Sequence, residues 1–204
     1  EDGIRDIGVT GVQTCALPIY TPGQRQFLDP EKLKLYYTMK YSMTDAQFDA
    51  FQAHTIELHH RNAAKHRSAV VSRAQARALP IASHDDATRE HVEEAVRNGM
   101  TIAEFPTTHE AALASRDAGL AILVGAPNLV LGGSHSGNIA AIDLVRAGNA
   151  DILSSDYVPA SLIEGIFKLP TAGIPLPQAI RLASLNPAHA VGLNDRGEIA
   201  PDRR

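Results

Sequence analysis

The chain has 204 residues, 44% of them hydrophobic and 21% charged, with a formal net charge of −4 and a pI near 6.1. Such a balance excludes a disordered chain and gives no basic footprint for nucleic acid, and no apolar run approaches the length needed to cross a bilayer. The single Cys15 has no internal disulfide partner, which fits a reducing, cytoplasmic location.

Residues 1–19, EDGIRDIGVTGVQTCALPI, carry no usable periodicity and lack the basic and long apolar regions of a targeting segment. They resemble the in-frame translation of a sequencing-library adapter, with EDGIRD and VTGVQTCALPI as its constant parts and Ile7-Gly8 at the index position. On that reading the segment is non-native, Cys15 has no role, and native sequence begins at residue 20. The tetrapeptide ALPI recurs at Ala78 to Ile81 without making a repeat.

TPGQRQF, at Thr21 to Phe27, is a polar turn with an exposed Arg25. Asp29-Pro30 then opens a helical stretch, EKLKLYYTMKY, and the residues from Ser42 to Asp45 open a long polar one that predicts one or two surface helices. His54, His59, His60 and His66 fall there. No HExxH pattern is present and the acidic residues are scattered, so these histidines are expected on a solvated face.

After Pro80 the pattern becomes strand and helix in alternation. Ile81-Ala82-Ser83 leads into His84, Asp85, Asp86 and a helical run from Ala87 to Asn98; Thr101-Ile102-Ala103 leads into EFPTT and a second helix; Leu120 to Val124 leads into GAPN. Gly99 and Gly119 stand where helices close. The alternation predicts a parallel sheet wrapped by helices. Two readings of His84 to Asp86 stand side by side: an aspartate capping the next helix with a core histidine, or an imidazole and two carboxylates delivered to an active site by a strand end.

The loop LGGSHSGN, Leu131 to Asn138, offers backbone N–H groups at Gly132 and Gly133 and polar side chains at Ser134, His135, Ser136 and Asn138. Placed before a helix, these groups suit an anionic oxygen, although a flexible hairpin loop explains the composition as well. The Gly-Lys-Ser/Thr ending of a Walker A loop is absent. Asp151 to Tyr157, DILSSDY, is again an apolar strand ending in a carboxylate. Asp156 either caps the next helix or joins His84 in a shared metal site, and two such strand ends in one α/β chain favour the second. The tail holds an amphipathic helix and a short NPAHAVGL segment, and its polar ending reads as an interrupted chain.

Taken in order, TPGQRQF, ASHDDAT, EFPTT, GAPN, GGSHSGN and ILSSDY resemble the phosphonate-metabolism diphosphatases of the amidohydrolase superfamily, over Tyr20 to Arg204. The resemblance implies an α/β fold, the C-terminal half of a metal-dependent (β/α)₈ TIM-like barrel truncated at both ends, with residues 20–204 giving about strands 5 to 8. The superfamily takes metal ligands from strands 1, 4, 5, 6 and 8. By this similarity His84 is the strand 6 histidine, Asp156 the strand 8 aspartate, and Tyr20 stands on strand 5 where the family has histidine.

The implied activity is hydrolysis of a ribosylated methylphosphonate triphosphate with release of pyrophosphate, in the carbon–phosphorus lyase pathway. A divalent metal, Zn or Mn, would acidify water and polarise the phosphoryl oxygen. Asp156 would orient that water and accept its proton, Gly132, Gly133, Ser134, His135, Ser136, Asn138 and Arg25 would hold the substrate, and Asp85 would support the metal ligands from behind. The implied partner is a small phosphorylated phosphonate, with no nucleic acid and no membrane; a homo-oligomer or an association with phosphonate-pathway enzymes stays open. The isolated polypeptide is expected to be inactive, because most of the metal ligands are missing from it. Two alternatives remain: an amidohydrolase acting on a C–N bond, and a non-catalytic α/β module that binds phosphorylated metabolites.

Overall fold

The computed structural model describes Phe27 and residues 29–134 and 137–204. The expectations for residues 1–19, Tyr20, Arg25, His135 and Ser136 lie outside the described residues.

Helix α1, Pro30–Tyr41, starts where Asp29 accepts a hydrogen bond from the Glu31 N–H and Pro30 takes a position whose missing N–H costs nothing. Helix α2, Asp45–Gln75, opens on a reciprocal capping box between Thr44 and Gln47. With no Gly or Pro to interrupt it, α2 runs unbroken for 31 residues. Leu33 and Tyr37 of α1 bury against Phe48 of α2 in a small aromatic cluster. His54, His59, His60 and His66 lie exposed along α2, as expected.

The alternating half follows as β1 (Ala82–His84), α3 (Arg89–Arg97), β2 (Ile102–Glu104), α4 (His109–Asp117), β3 (Ala121–Gly125), α5 (Ala126–Leu131), α6 (Ala141–Arg146) and β4 (Ile152–Ser154). Helix α7 (Pro159–Lys168), a short 3₁₀ turn (Leu169–Ala172), α8 (Leu176–Ala183) and α9 (Leu185–Ala190) complete it. The four strands are parallel and pair in sequence order, β1-β2-β3-β4. Strands so paired must be joined by crossovers, which the intervening helices supply.

The register gives the sheet two unlike faces. Ala103, Ile122, Val124 and Leu153 point into apolar clusters formed with the helices, among them Val92, Ala112, Leu129, Leu144 and Ile166. On the opposite face Ile102, Leu123 and Ile152 form a smaller cluster that Ala190 and Val191 flank. His84, Glu104 and Leu123 pair in one row across that second face, because parallel partners project to the same side.

Both capping readings are corrected here. Thr88, not Asp85 or Asp86, accepts a hydrogen bond at the start of α3, and Thr108 does the same for α4. Helix α7 begins after Val158, with no side-chain cap, so Asp156 does not serve it. The hydroxyls won because they sit one residue before the first helical turn, whereas Asp85 and Asp86 belong to the strand exit.

Candidate active site at the strand ends

Three non-glycine residues at the strand exits have left-handed backbone: Asp85 (φ 55°), Phe105 (φ 54°) and Asp156 (φ 48°). This conformation costs roughly 1–2 kcal/mol for an L-residue with a Cβ. Hydrogen bonds hold it in place. Asp85 N donates to Glu104 O at 2.9 Å and Phe105 N to Leu123 O at 2.9 Å, each extending the ladder one step, while Asp156 N donates to Ser154 Oγ at 3.2 Å. All three residues line one cavity, whose wall is completed by Asn128, Ser134 and Asn138 among others. Backbone strain gathered at the rim of one cavity is the pattern of a functional site.

His84 and Glu104 stand beside it, at paired positions on β1 and β2. His84 Nδ1 lies 2.9 Å from Asp85 Oδ2, its Nε2 lies 3.9 Å from Glu104 Oε2, and the Phe105 ring meets the imidazole edge-on at 5.5 Å. Burial pulls the imidazole towards neutrality, but the hydrogen bond to Asp85 and the charges of Asp85, Glu104 and Asp156 outweigh it, and the net shift is upward. Glu104, only 7% exposed, is raised by burial first and by Asp85 and Asp156 next, against the opposing pull of His84. Asp156 thus shares an electrostatic neighbourhood with both.

The loop after α5 differs from its expected form. Gly132 and Gly133 both donate their N–H groups to Asn128 O at 3.0 Å, and Gly132, with φ 82°, closes α5. Those two donors are therefore spent on the helix end and do not form an anion cradle. Helix α6, moreover, begins only after Ala140. Ser134 and Asn138 do reach the cavity. Asn128 fixes the far end of the loop, donating through Nδ2 to Ile139 O (3.1 Å) and accepting at Oδ1 from Ala141 N (2.9 Å). Ile139 N in turn donates to Thr107 O and Thr107 N to Asp86 O, so three strand-exit loops are tied side by side.

Two ligands on one ion at about 2.1 Å each stand roughly 3–4.2 Å apart, and the 3.9 Å between His84 Nε2 and Glu104 Oε2 is too long for a hydrogen bond but lies within that span. Asp85 on the other ring nitrogen is the usual support of a ligating imidazole. Two donors fit. Among the described residues no group of three His, Cys, Asp or Glu side chains is arranged to hold an ion.

The strand numbering read from sequence needs one correction. His84 on strand 6 and Asp156 on strand 8 leave room for one strand between them, yet β2 and β3 both intervene. If β4 is the last strand of a barrel, β1 is the fifth and β2 the sixth, and Glu104 occupies the place where the superfamily resemblance puts a second histidine. Sequence reading passed over Glu104, along with Phe105 and Asn128. A signal was present: aligned at their Ile-Ala pairs, IASH and IAE both carry a titratable side chain out of the strand end, one residue apart.

A parallel β/α sheet carrying titratable side chains at its C-terminal strand ends is the architecture of β/α-barrel hydrolases, and this chain belongs to the amidohydrolase family, whose model matches residues 50–204. It is 47% identical over 196 residues to the alpha-D-ribose 1-methylphosphonate 5-triphosphate diphosphatase of Escherichia coli strain K12, across 95% of this chain and 52% of that protein. The chain therefore spans about half the length of that relative. Among solved structures it is similar to an uncharacterized protein (20% identity, 66% of this chain, 39% of that one, TM-score 0.48). A similar likeness joins it to an uncharacterized metal-dependent hydrolase from Pyrococcus furiosus (14% identity, 65% of this chain, 33% of that one, TM-score 0.48). No helix among the described residues is long and apolar enough to cross a membrane.

Proposed function

We propose that the full-length protein carrying this segment is a metal-dependent diphosphatase that hydrolyses alpha-D-ribose 1-methylphosphonate 5-triphosphate to the 5-phosphate and pyrophosphate. The observation that carries this reading is the convergence of Asp85, Asp156, Ser134 and Asn138 on one cavity, beside His84 and Glu104. The 47% identity to a diphosphatase supports the choice of substrate.

A divalent cation, Zn or Mn, supplies Lewis acidity at the phosphoryl oxygen and a lowered pKa for water when bound. His84, through Nε2, and the Glu104 carboxylate would hold it, with other ligands from outside the described residues. Asp85 accepts the Nδ1–H of His84, which fixes the tautomer that leaves Nε2 free to ligate. Asp156 takes the proton from the attacking water. Ser134 and Asn138 contact the phosphate oxygens, and the ties made by Asn128 hold them at the cavity wall. Residues 82–154 then form the last four strands of the barrel.

A C–N hydrolase of the same superfamily would share the barrel and its ligands. The polar loop beside the cavity favours a phosphoanhydride instead. A binding module without chemistry leaves the buried Glu104 and the strained Asp156 without a purpose, since each is costly to keep. The test assays the full-length protein for pyrophosphate release from the ribose triphosphate, with and without chelator, alongside a cyclic amide and an aminopyrimidine. Pyrophosphate release that chelation abolishes supports the reading; turnover of the C–N substrates alone refutes it.

A further inference from the structure

The cavity is acidic where its proposed substrate is also anionic. Asp85 and Asp156 line it, and neither Lys nor Arg is among the lining residues. Like charges repel across so short a gap, and a divalent cation offsets only part of a polyphosphate's charge. A cation at the mouth would offset the remainder.

Helix α1 supplies one. In its first turn Lys32 projects onto the loop beyond α5, where its Cε and Cδ lie 3.6 and 3.8 Å from the point a Cβ on Gly137 would occupy, and that Cβ would collide with the ammonium itself. Gly137 has φ 78° and donates its N–H to Ser134 O at 3.2 Å, so the approach falls at a turn between two cavity-lining residues, Ser134 and Asn138. Neighbouring lysines are engaged elsewhere: Lys34 pairs with Asp45 (3.3 Å) and Asp49 (3.9 Å), and Lys40 bonds to Tyr36. No hydrogen bond or ion pair among the described residues engages Lys32.

We propose that Lys32 is a phosphate-binding residue of this site, its ammonium held over Gly137 to meet the terminal phosphates of a polyphosphate ester whose reacting end lies against Asp156. The inference rests on the diphosphatase reading and adds a residue from outside the barrel strands to it. A lysine suits the task, because a compact charge on a flexible stem follows a mobile phosphate chain without a fixed fork geometry. Gly137 is then needed as glycine, since any side chain there displaces the ammonium and strains the turn.

The experiment uses the full-length protein and inorganic pyrophosphate as the probe, titrated calorimetrically into wild type, Lys32→Ala and Lys32→Arg, with steady-state kinetics on the ribose triphosphate in parallel. A charge-assisted contact predicts about a tenfold weaker Kd and a tenfold higher KM for Lys32→Ala, with kcat within about twofold and Lys32→Arg near wild type. The difference shrinks as salt is raised. Pyrophosphate binding by Lys32→Ala equal to wild type, a loss of kcat at constant KM, or a Lys32→Arg variant as weak as Lys32→Ala overturns the assignment. Wild type that binds no pyrophosphate and releases none overturns the diphosphatase reading itself, which keeps the two failures apart.

Discussion

Glu104 Oε2 stands 3.9 Å from His84 Nε2, in the same row of a parallel sheet and on the face that helices α3 to α8 leave to other uses. A carboxylate this buried is costly unless a cation or proton joins it. On the proposed reading the two groups share a metal ion. Glu104→Gln in the full-length protein should lower metal affinity by at least the roughly 10- to 100-fold seen when a partner behind a ligand is lost, as read by calorimetric titration of Zn or Mn. Unchanged stoichiometry and affinity would remove Glu104 from the shell.

Protons compete for the same two groups. The folded pKa of His84 is raised, so its contribution to the stability of the metal-free protein is full below the ordinary value near 6.5 and is lost as pH rises through the raised value. Glu104 is also raised and acts in the same sense, its protonated form being favoured by the fold and its contribution fading as pH climbs. Metal affinity runs the other way, because ligation must release those protons. Melting temperature in chelator should fall as pH rises from about 6, more steeply than in His84→Gln, while metal affinity increases. Parallel pH slopes in the two proteins would show that His84 does not titrate as described.

Asn128 gives a prediction about substrate handling. Its amide holds Ile139 and Ala141 while its carbonyl closes α5, so Asn128→Ala frees the loop that brings Ser134 and Asn138 to the cavity. About a tenfold rise in KM is expected, since a loosened contact weakens positioning, with a smaller fall in kcat. A variant with wild-type KM and a lower melting temperature would reduce Asn128 to a purely structural tie.

Packing on the helix side of the sheet supplies a control away from the site. Gly165 of α7 lies where a Cβ would come within 3.2 Å of Leu129 and 3.3 Å of Leu153. Gly165→Val should overpack that contact and cost about 1–3 kcal/mol in denaturant unfolding. The metal affinity of the folded fraction should not change.

Much of this arrangement was legible in the sequence, for local reasons. Short apolar runs between turns marked β1, β2 and β3 to within a residue and the start of β4, whereas the polar stretch from Asp45 left one or two helices open where α2 is a single one. His84 and Asp156 were visible because each follows an apolar strand directly. Glu104 was legible only as a titratable side chain leaving a strand end; that it pairs with His84, 20 residues away, is a fact about register that no local pattern contains. The glycines of the loop misled for a related reason: composition shows that N–H groups are present, but not that Asn128 has already taken them.

Asp156 carries the chemistry in this account, and its left-handed backbone, held by Ser154, keeps its carboxylate at the cavity wall. The most direct test compares pyrophosphate release from the ribose triphosphate by the metal-loaded full-length protein and its Asp156→Asn variant. Loss of a general base predicts a fall in kcat of about 10²- to 10⁴-fold, with metal bound and pyrophosphate affinity retained. Turnover at the wild-type rate would contradict the account.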